Sequence, residues 1–72
     1  MSTIGEKLRL LRQQRKLTTR ELGSILGVSN SHIVRIENGT KGPSIDLVTK
    51  MARFFNVTAD RLIMDELELD ED

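Results

Sequence analysis

Residues Gly23–Gly39 read GSILGVSNSHIVRIENG, and apolar side chains recur at helical spacing on both sides of an abrupt Gly27-Val28-Ser29 break. Leu22, Ile25 and Leu26 give one helix its apolar side, and Ile33 and Ile36 give the next helix its own. Gly27 accepts the left-handed backbone that ends a helix, and Ser29 suits the cap of the helix that restarts. Two short helices joined at a steep angle by a tight glycine-containing turn form a helix-turn-helix, whose second helix stands far enough from the body to enter a DNA major groove. This arrangement puts Leu22 and Ile25 in the core, lets the next helix approach at Gly23, plugs the turn with Val28 and anchors the projecting helix through Ile33 and Ile36.

Asn30, Ser31, Val34 and Arg35 are then left on the outer side. Their chemistry suits base edges: Arg donates twice to guanine, Asn pairs with adenine, Ser meets several bases and Val touches a thymine methyl, each good pair discriminating by about 1–3 kcal/mol. No acid occupies the early exposed positions, where it would repel phosphate. Asn38-Gly39 is also a hairpin signal, but its flanks repeat at three and four rather than two, so it reads as a helix C-cap followed by the loop 39–43.

Working outward, Thr3-Ile4-Gly5-Glu6 has capping-box form ahead of Ile4, Leu8 and Leu11, which predicts a first helix ending near Lys16. Thr18-Thr19-Arg20-Glu21 repeats that form at the start of helix two. Pro43-Ser44 opens a fourth helix with Ile45, Val48, Met51, Ala52 and Phe55 on its buried face and Asn56 at its end. Thr58 caps a short fifth helix with Ala59, Leu62 and Ile63 inward. No segment has a convincing strand period. The reading is an all-α, five-helix DNA-binding domain over residues 1–64, followed by an acidic tail over 65–72.

The net charge of zero conceals an asymmetry: Met1 to Lys41 carries eight Lys or Arg against three acids, and Gly42 to Asp72 three against eight. Six of those acids stand in the last eight residues, DELELDED, so the body without them is +6. A basic body points to a polyanion partner, and the tail either competes with DNA for the basic face or keeps the chain soluble. With no cysteine, no apolar run near the roughly 20 residues of a membrane span and no signal-peptide centre in MSTIGEKLRLLRQQRK, we expect a soluble cytoplasmic protein, nucleoid-associated through DNA, with no membrane partner. The sequence lacks a nucleophile with a base, a carboxylate pair in a cleft and a glycine-rich loop after a strand; we expect neither an enzyme nor a cofactor. His32 is the single histidine, so a phosphate or base contact suits it better than a metal.

Leu17 to Ile63, with L-T-x-x-E-L, G-V-S after an apolar pair, I-x-x-I-E-N-G, P-S before helix four and N-V-T-x-D-x-L before helix five, resembles the XRE family of bacterial and phage regulators. These are the lambda- and 434-repressor-like helix-turn-helix domains. The resemblance implies that Asn30, Ser31 and Arg35 face bases with His32 and Val34 nearby. It implies that Thr18 and Thr19 meet a phosphate through a hydroxyl or backbone N–H, and that Asn38, Thr40 and Lys41 touch the backbone on the other flank. It also implies a structural ion pair of Arg12 with Glu37, tying helix one to the end of helix three. Three positions depart from the family pattern: Thr19 stands where Gln is common, Gly23 where Ala is common, and Asn30 where Arg or Gln is frequent.

Leu47 and Phe54, four and three residues from Met51, widen the apolar side of helix four, and Phe54 is bulky where relatives often have a small residue. We expect a self-association surface of Leu47, Phe54, Ile63 and Leu67, the alternative being a larger core shared with helix one. A twofold dimer reads two half-sites about one helical turn apart. The expected function is therefore a homodimeric transcriptional repressor of double-stranded DNA, with control by concentration, a regulatory protein partner or the tail. Alternatives in the same fold are an antitoxin or a restriction-system controller; an alternative of another class is a protein-interaction module that binds a regulator.

Overall fold

Hydroxyl caps set every helix start in the computed structural model, which describes residues 3–63. α1 (Ile4–Gln14) follows Thr3, whose Oγ1 accepts from Glu6 N at 3.2 Å while Thr3 N donates to Glu6 Oε1 at 2.9 Å. α2 (Thr19–Leu26) has the same reciprocal box from Thr18 and Glu21. Ser29 caps α3 (Asn30–Asn38), Ser44 caps α4 (Ile45–Phe55), and Thr58 accepts from Arg61 N at the start of α5 (Ala59–Ile63). Such a cap is worth about 1 kcal/mol, so for helices this short the starts are fixed locally. The described residues contain these five helices and no strand.

The ends are equally local. Gly27 stops α2 at φ 78°, a conformation that costs an L-residue roughly 1–2 kcal/mol. Val28 N then donates to Gly23 O at 2.8 Å, closing the turn. Gly39 ends α3, Asn56 ends α4, and Lys16 follows the α1 cap in the same left-handed region.

Each helix sends a side chain with no exposed surface to the centre: Leu8, Leu22, Ile33, Met51 and Leu62. Leu11, Leu26, Ile36, Leu47, Val48 and Phe55 complete the core. α3 packs on both α2 and α1, while α4 packs on α5 and α2. The recognition candidate is thus held from two sides. Gly5 marks where α1 crosses α3, because a Cβ there would fall 2.2 Å from Ile36 O. Lys7, only 2% exposed, donates from Nζ to Arg61 O at 2.7 Å and holds the end of α5 against α1.

Four apolar residues sit differently from the sequence reading. Ile25 is 46% exposed because, at roughly 100° per residue, Leu22, Gly23 and Leu26 share an arc that Ile25 lies outside. In α4 the buried arc centres on Leu47, Val48, Met51 and Phe55, so Ile45 is 87% exposed and Leu47 is core at 4%. Leu47 therefore has almost no surface to offer another copy of the chain, and it is corrected from a self-association candidate to a core residue. Ile63 points outward, at 55% exposure, leaving Leu62 to bury α5. Gly23 makes room for the turn rather than for α3, since a Cβ there would lie 2.7 Å from Val28 O. Leu67 and the acidic tail lie outside the described residues. No helix among the described residues is long and apolar enough to cross a membrane.

Candidate nucleic-acid interface

With Ile33 and Ile36 buried, α3 turns Ser31, Val34, Arg35 and Asn38 outward, and these four are exposed. Their spacing of three, four and seven makes one stripe along the helix. At about 1.5 Å per residue, α3 is close in length to the roughly 12 Å width of a major groove. The stripe offers base edges a guanidinium, a hydroxyl and an apolar branch, with the Asn38 amide at its C-terminal end.

Asn30 sits at the edge of the stripe, half-buried, and its Oδ1 accepts a hydrogen bond from Thr19 Oγ1. That bond joins the first residue of α2 to the first residue of α3 across the turn. Thr19 has one hydroxyl proton, and here it goes to Asn30. Thr18 uses its hydroxyl oxygen to accept from Glu21 N at 3.0 Å, which leaves its proton available. The first-turn N–H groups of α2 lie beside these side chains and point away from the helix, as helix geometry requires.

At the other end of α3, Thr40 Oγ1 donates to Arg35 O at 3.2 Å, and Thr40 N and Lys41 N donate to the same carbonyl at 3.0 and 3.3 Å. Thr40 thereby closes the helix end, and its hydroxyl proton is committed inside the protein. The Asn38 and Lys41 side chains are exposed on that flank. His32 is half-buried in the first turn of α3, with its own N–H donated to Ser29 Oγ at 3.1 Å. Of the six side chains expected at phosphates, Thr18, Asn38 and Lys41 thus keep donors facing out, whereas the hydroxyl protons of Thr19 and Thr40 are engaged internally.

The platform is held by a bidentate pair. Arg12 Nε lies 2.7 Å from Glu37 Oε2 and Nη2 lies 3.0 Å from Glu37 Oε1, while Nη1 donates to Leu17 O at 2.8 Å. The side chains are only 14% and 6% exposed. The Glu37 hydrogen bonds hold the Arg12 guanidinium above its ordinary pKa, against the opposing pull of burial and with added Coulomb attraction. Stability from a raised pKa is fully present below the unfolded value and is lost only above the folded one, so this contact is constant across neutral pH.

Arg15 lies over the rings of Phe54 and Phe55, 5.3 and 5.6 Å from their centroids, and the rings meet edge to face at 4.9 Å. The half-buried Phe54 is therefore partly covered by Arg15. No spacing rule in the sequence announces this stack, nor the Thr19–Asn30 bond, because both join residues brought together only by the turn between helices. The described residues contain no cluster of His, Cys, Asp and Glu fit for a metal.

A helix-turn-helix family model matches residues 8–62. The chain is 41% identical over 64 residues to the HTH-type transcriptional repressor RghR of Bacillus subtilis, a match covering 88% of this chain and 47% of RghR. It is 35% identical over 68 residues to the cryptic phage CTXphi transcriptional repressor RstR of Vibrio cholerae, covering 93% of this chain and 61% of that protein. The chain thus spans about half the length of the first of these relatives and three-fifths of the second. Among solved structures, the P22 c2 repressor in complex with a synthetic operator superposes with a TM-score of 0.85 at 24% identity, covering 92% of this chain and 100% of that one, a likeness of fold.

Proposed function

The chain belongs to the helix-turn-helix family of the XRE type, and from that membership we propose that it is a sequence-specific regulator of transcription, a homodimeric repressor that reads a palindromic operator with α3 in the major groove. The observation that carries this reading is the outward stripe Ser31, Val34 and Arg35, set on the buried Ile33 and Ile36 and flanked by outward donors at Thr18, Asn38 and Lys41. In this reading Asn30, Ser31, Val34 and Arg35 meet bases, and Thr18, His32, Asn38 and Lys41 meet phosphates. Thr19 reaches phosphate through its backbone N–H while its hydroxyl steadies Asn30, and Thr40 supports the α3 terminus from which Lys41 extends.

Residues 1–64 form the binding domain, and residues 65–72 form a charged arm that lowers affinity for polyanions. The relatives named as repressors support the sign of regulation proposed here. The test is selection from random duplexes followed by affinity against salt concentration. A palindromic winner and a steep salt dependence are the expected results. Failure to enrich any motif overturns the reading and favours a module that binds another regulator.

A further inference from the structure

The chain has three asparagines, Asn30, Asn38 and Asn56, and they stand in different chemical settings. Asn30 is half-buried, and its Oδ1 accepts from Thr19. Asn56 is exposed, but the next backbone nitrogen belongs to Val57, whose branched side chain crowds it and whose N–H donates to Ala52 O at 3.0 Å. Asn38 is exposed at the end of α3 and is followed by Gly39, where even an added Cβ would meet nothing within 4 Å. Asn38 alone therefore has an unhindered backbone nitrogen next to its side-chain amide. Helical ψ, about −42°, keeps Gly39 N turned away from that amide carbon, so the two meet only when the α3 end opens.

That end is lightly closed. Gly39 N donates to Ile36 O at 3.1 Å, while Thr40 N, Lys41 N and Thr40 Oγ1 all end on the Arg35 carbonyl, at 3.0, 3.3 and 3.2 Å. Bonds that share one acceptor are lost together when it turns away. Residues 39–42 are all exposed, so opening uncovers little apolar surface. We propose that Asn38-Gly39 is a self-modification site, in which opening of the α3 end lets Gly39 N attack Asn38 Cγ. The new N–C bond closes a five-membered imide, and the Gly39 proton leaves with the side-chain nitrogen as ammonia. Water then opens either imide C–N bond, giving aspartate or isoaspartate at position 38. In both products an outward amide donor becomes a carboxylate at a helix C-terminus, where the dipole is already negative. In the second, the main chain is also one carbon longer ahead of Thr40 and Lys41. On the regulator reading this carboxylate faces a phosphate, so unbound copies lose affinity with age, while bound copies, with the α3 end held closed, keep it.

Ageing the full chain in neutral buffer and mapping the three asparagines by mass measures the conversion. Asn38 is expected to convert before Asn30 and Asn56, and more slowly in the native chain than in urea; conversion no sooner than at the other two overturns the proposal. Thr40→Val removes one donor to Arg35 O and is expected to speed the native conversion about fivefold, the extra opening that one lost hydrogen bond allows, with the rate in urea unchanged. An unaltered native rate overturns the proposal. Amide hydrogen exchange tests the same opening without a variant: Gly39 is expected to exchange well ahead of Ile33, and equal protection of the two overturns the proposal. The aged, more acidic fraction, separated by ion exchange, is expected to bind selected and random duplexes about tenfold or more weakly, as loss of a hydrogen bond to a charged group implies. Saturating duplex is expected to slow the conversion. Undiminished binding, or an equal rate with and without duplex, overturns the proposed effect on affinity. That effect rests on the regulator reading, and the conversion does not: where the fresh chain binds no duplex, that reading fails, and the map of the three asparagines decides the site alone.

Discussion

The hydroxyl proton of Thr19 goes to Asn30 Oδ1, and in the proposed interface this one bond separates a residue that positions from one that reads. Removing it with Thr19→Val frees the Asn30 amide to rotate. The expected result is a loss of preference at one base pair, within the roughly 1–3 kcal/mol of a good pair, with Thr19→Ser restoring it; a uniform loss over all sequences would instead make Thr19 a phosphate contact. Arg35 and Lys41 supply the contrast. Arg35→Ala should cost about 1–3 kcal/mol on the selected site and relax one position. Lys41→Ala should weaken all duplexes alike and lower the salt slope by about one. Binding measured on the selected site and its single-base variants, at several salt concentrations, separates the three. Chemistry of this kind was legible in the sequence as far as residue type and outward face. The commitments of Thr19 and Thr40 were not, since a hydroxyl's partner depends on what the fold sets beside it.

At the scale of helices, α1 governs where α3 stands, through one attraction and one close approach. The Arg12–Glu37 pair is mostly buried, so Glu37→Ala should lower stability by about 3–5 kcal/mol, leaving a guanidinium without its partner. The double change Arg12→Met with Glu37→Leu should recover much of that loss, because burying two ions costs nearly what their attraction returns. Urea unfolding of the single and double variants measures both. The close approach is Gly5, where Ala would gain up to about 1 kcal/mol of helix propensity. That gain is outweighed by the roughly 1–3 kcal/mol of overpacking that a Cβ 2.2 Å from Ile36 O imposes. Gly5→Ala is therefore expected to destabilise and, by displacing α3, to weaken duplex binding as well.

The helix starts and stops were legible because a cap is a contact within four residues; the faces were less so. A helix of eight to eleven residues shows its apolar arc only two or three times, so Ile25, Ile45 and Leu47 could be assigned by neighbouring spacing and still fall on the wrong side of a margin set by tertiary packing. Lys7 gave no signal at all, because its burial depends on the carbonyl of Arg61 arriving from the far end of the chain.

For the molecule as a whole, the proposed function makes charge the factor that sets how sequence-specific and nonspecific binding share one surface. Residues 1–64 carry +6 and residues 65–72 carry −6, so the arm can cancel the field that draws the body to any polyanion. Deleting Asp65–Asp72 should therefore tighten binding to random duplex severalfold at low salt. The gain should fade as the screening length shrinks from about 10 Å at 0.1 M to about 3 Å at 1 M. Because the arm carries no sequence information, specific and random duplexes should gain alike and their ratio should hold. Unchanged affinity at low salt, with lower solubility, would make the arm a solubilising segment; a changed ratio would mean that it touches the readers on α3 rather than the field around them.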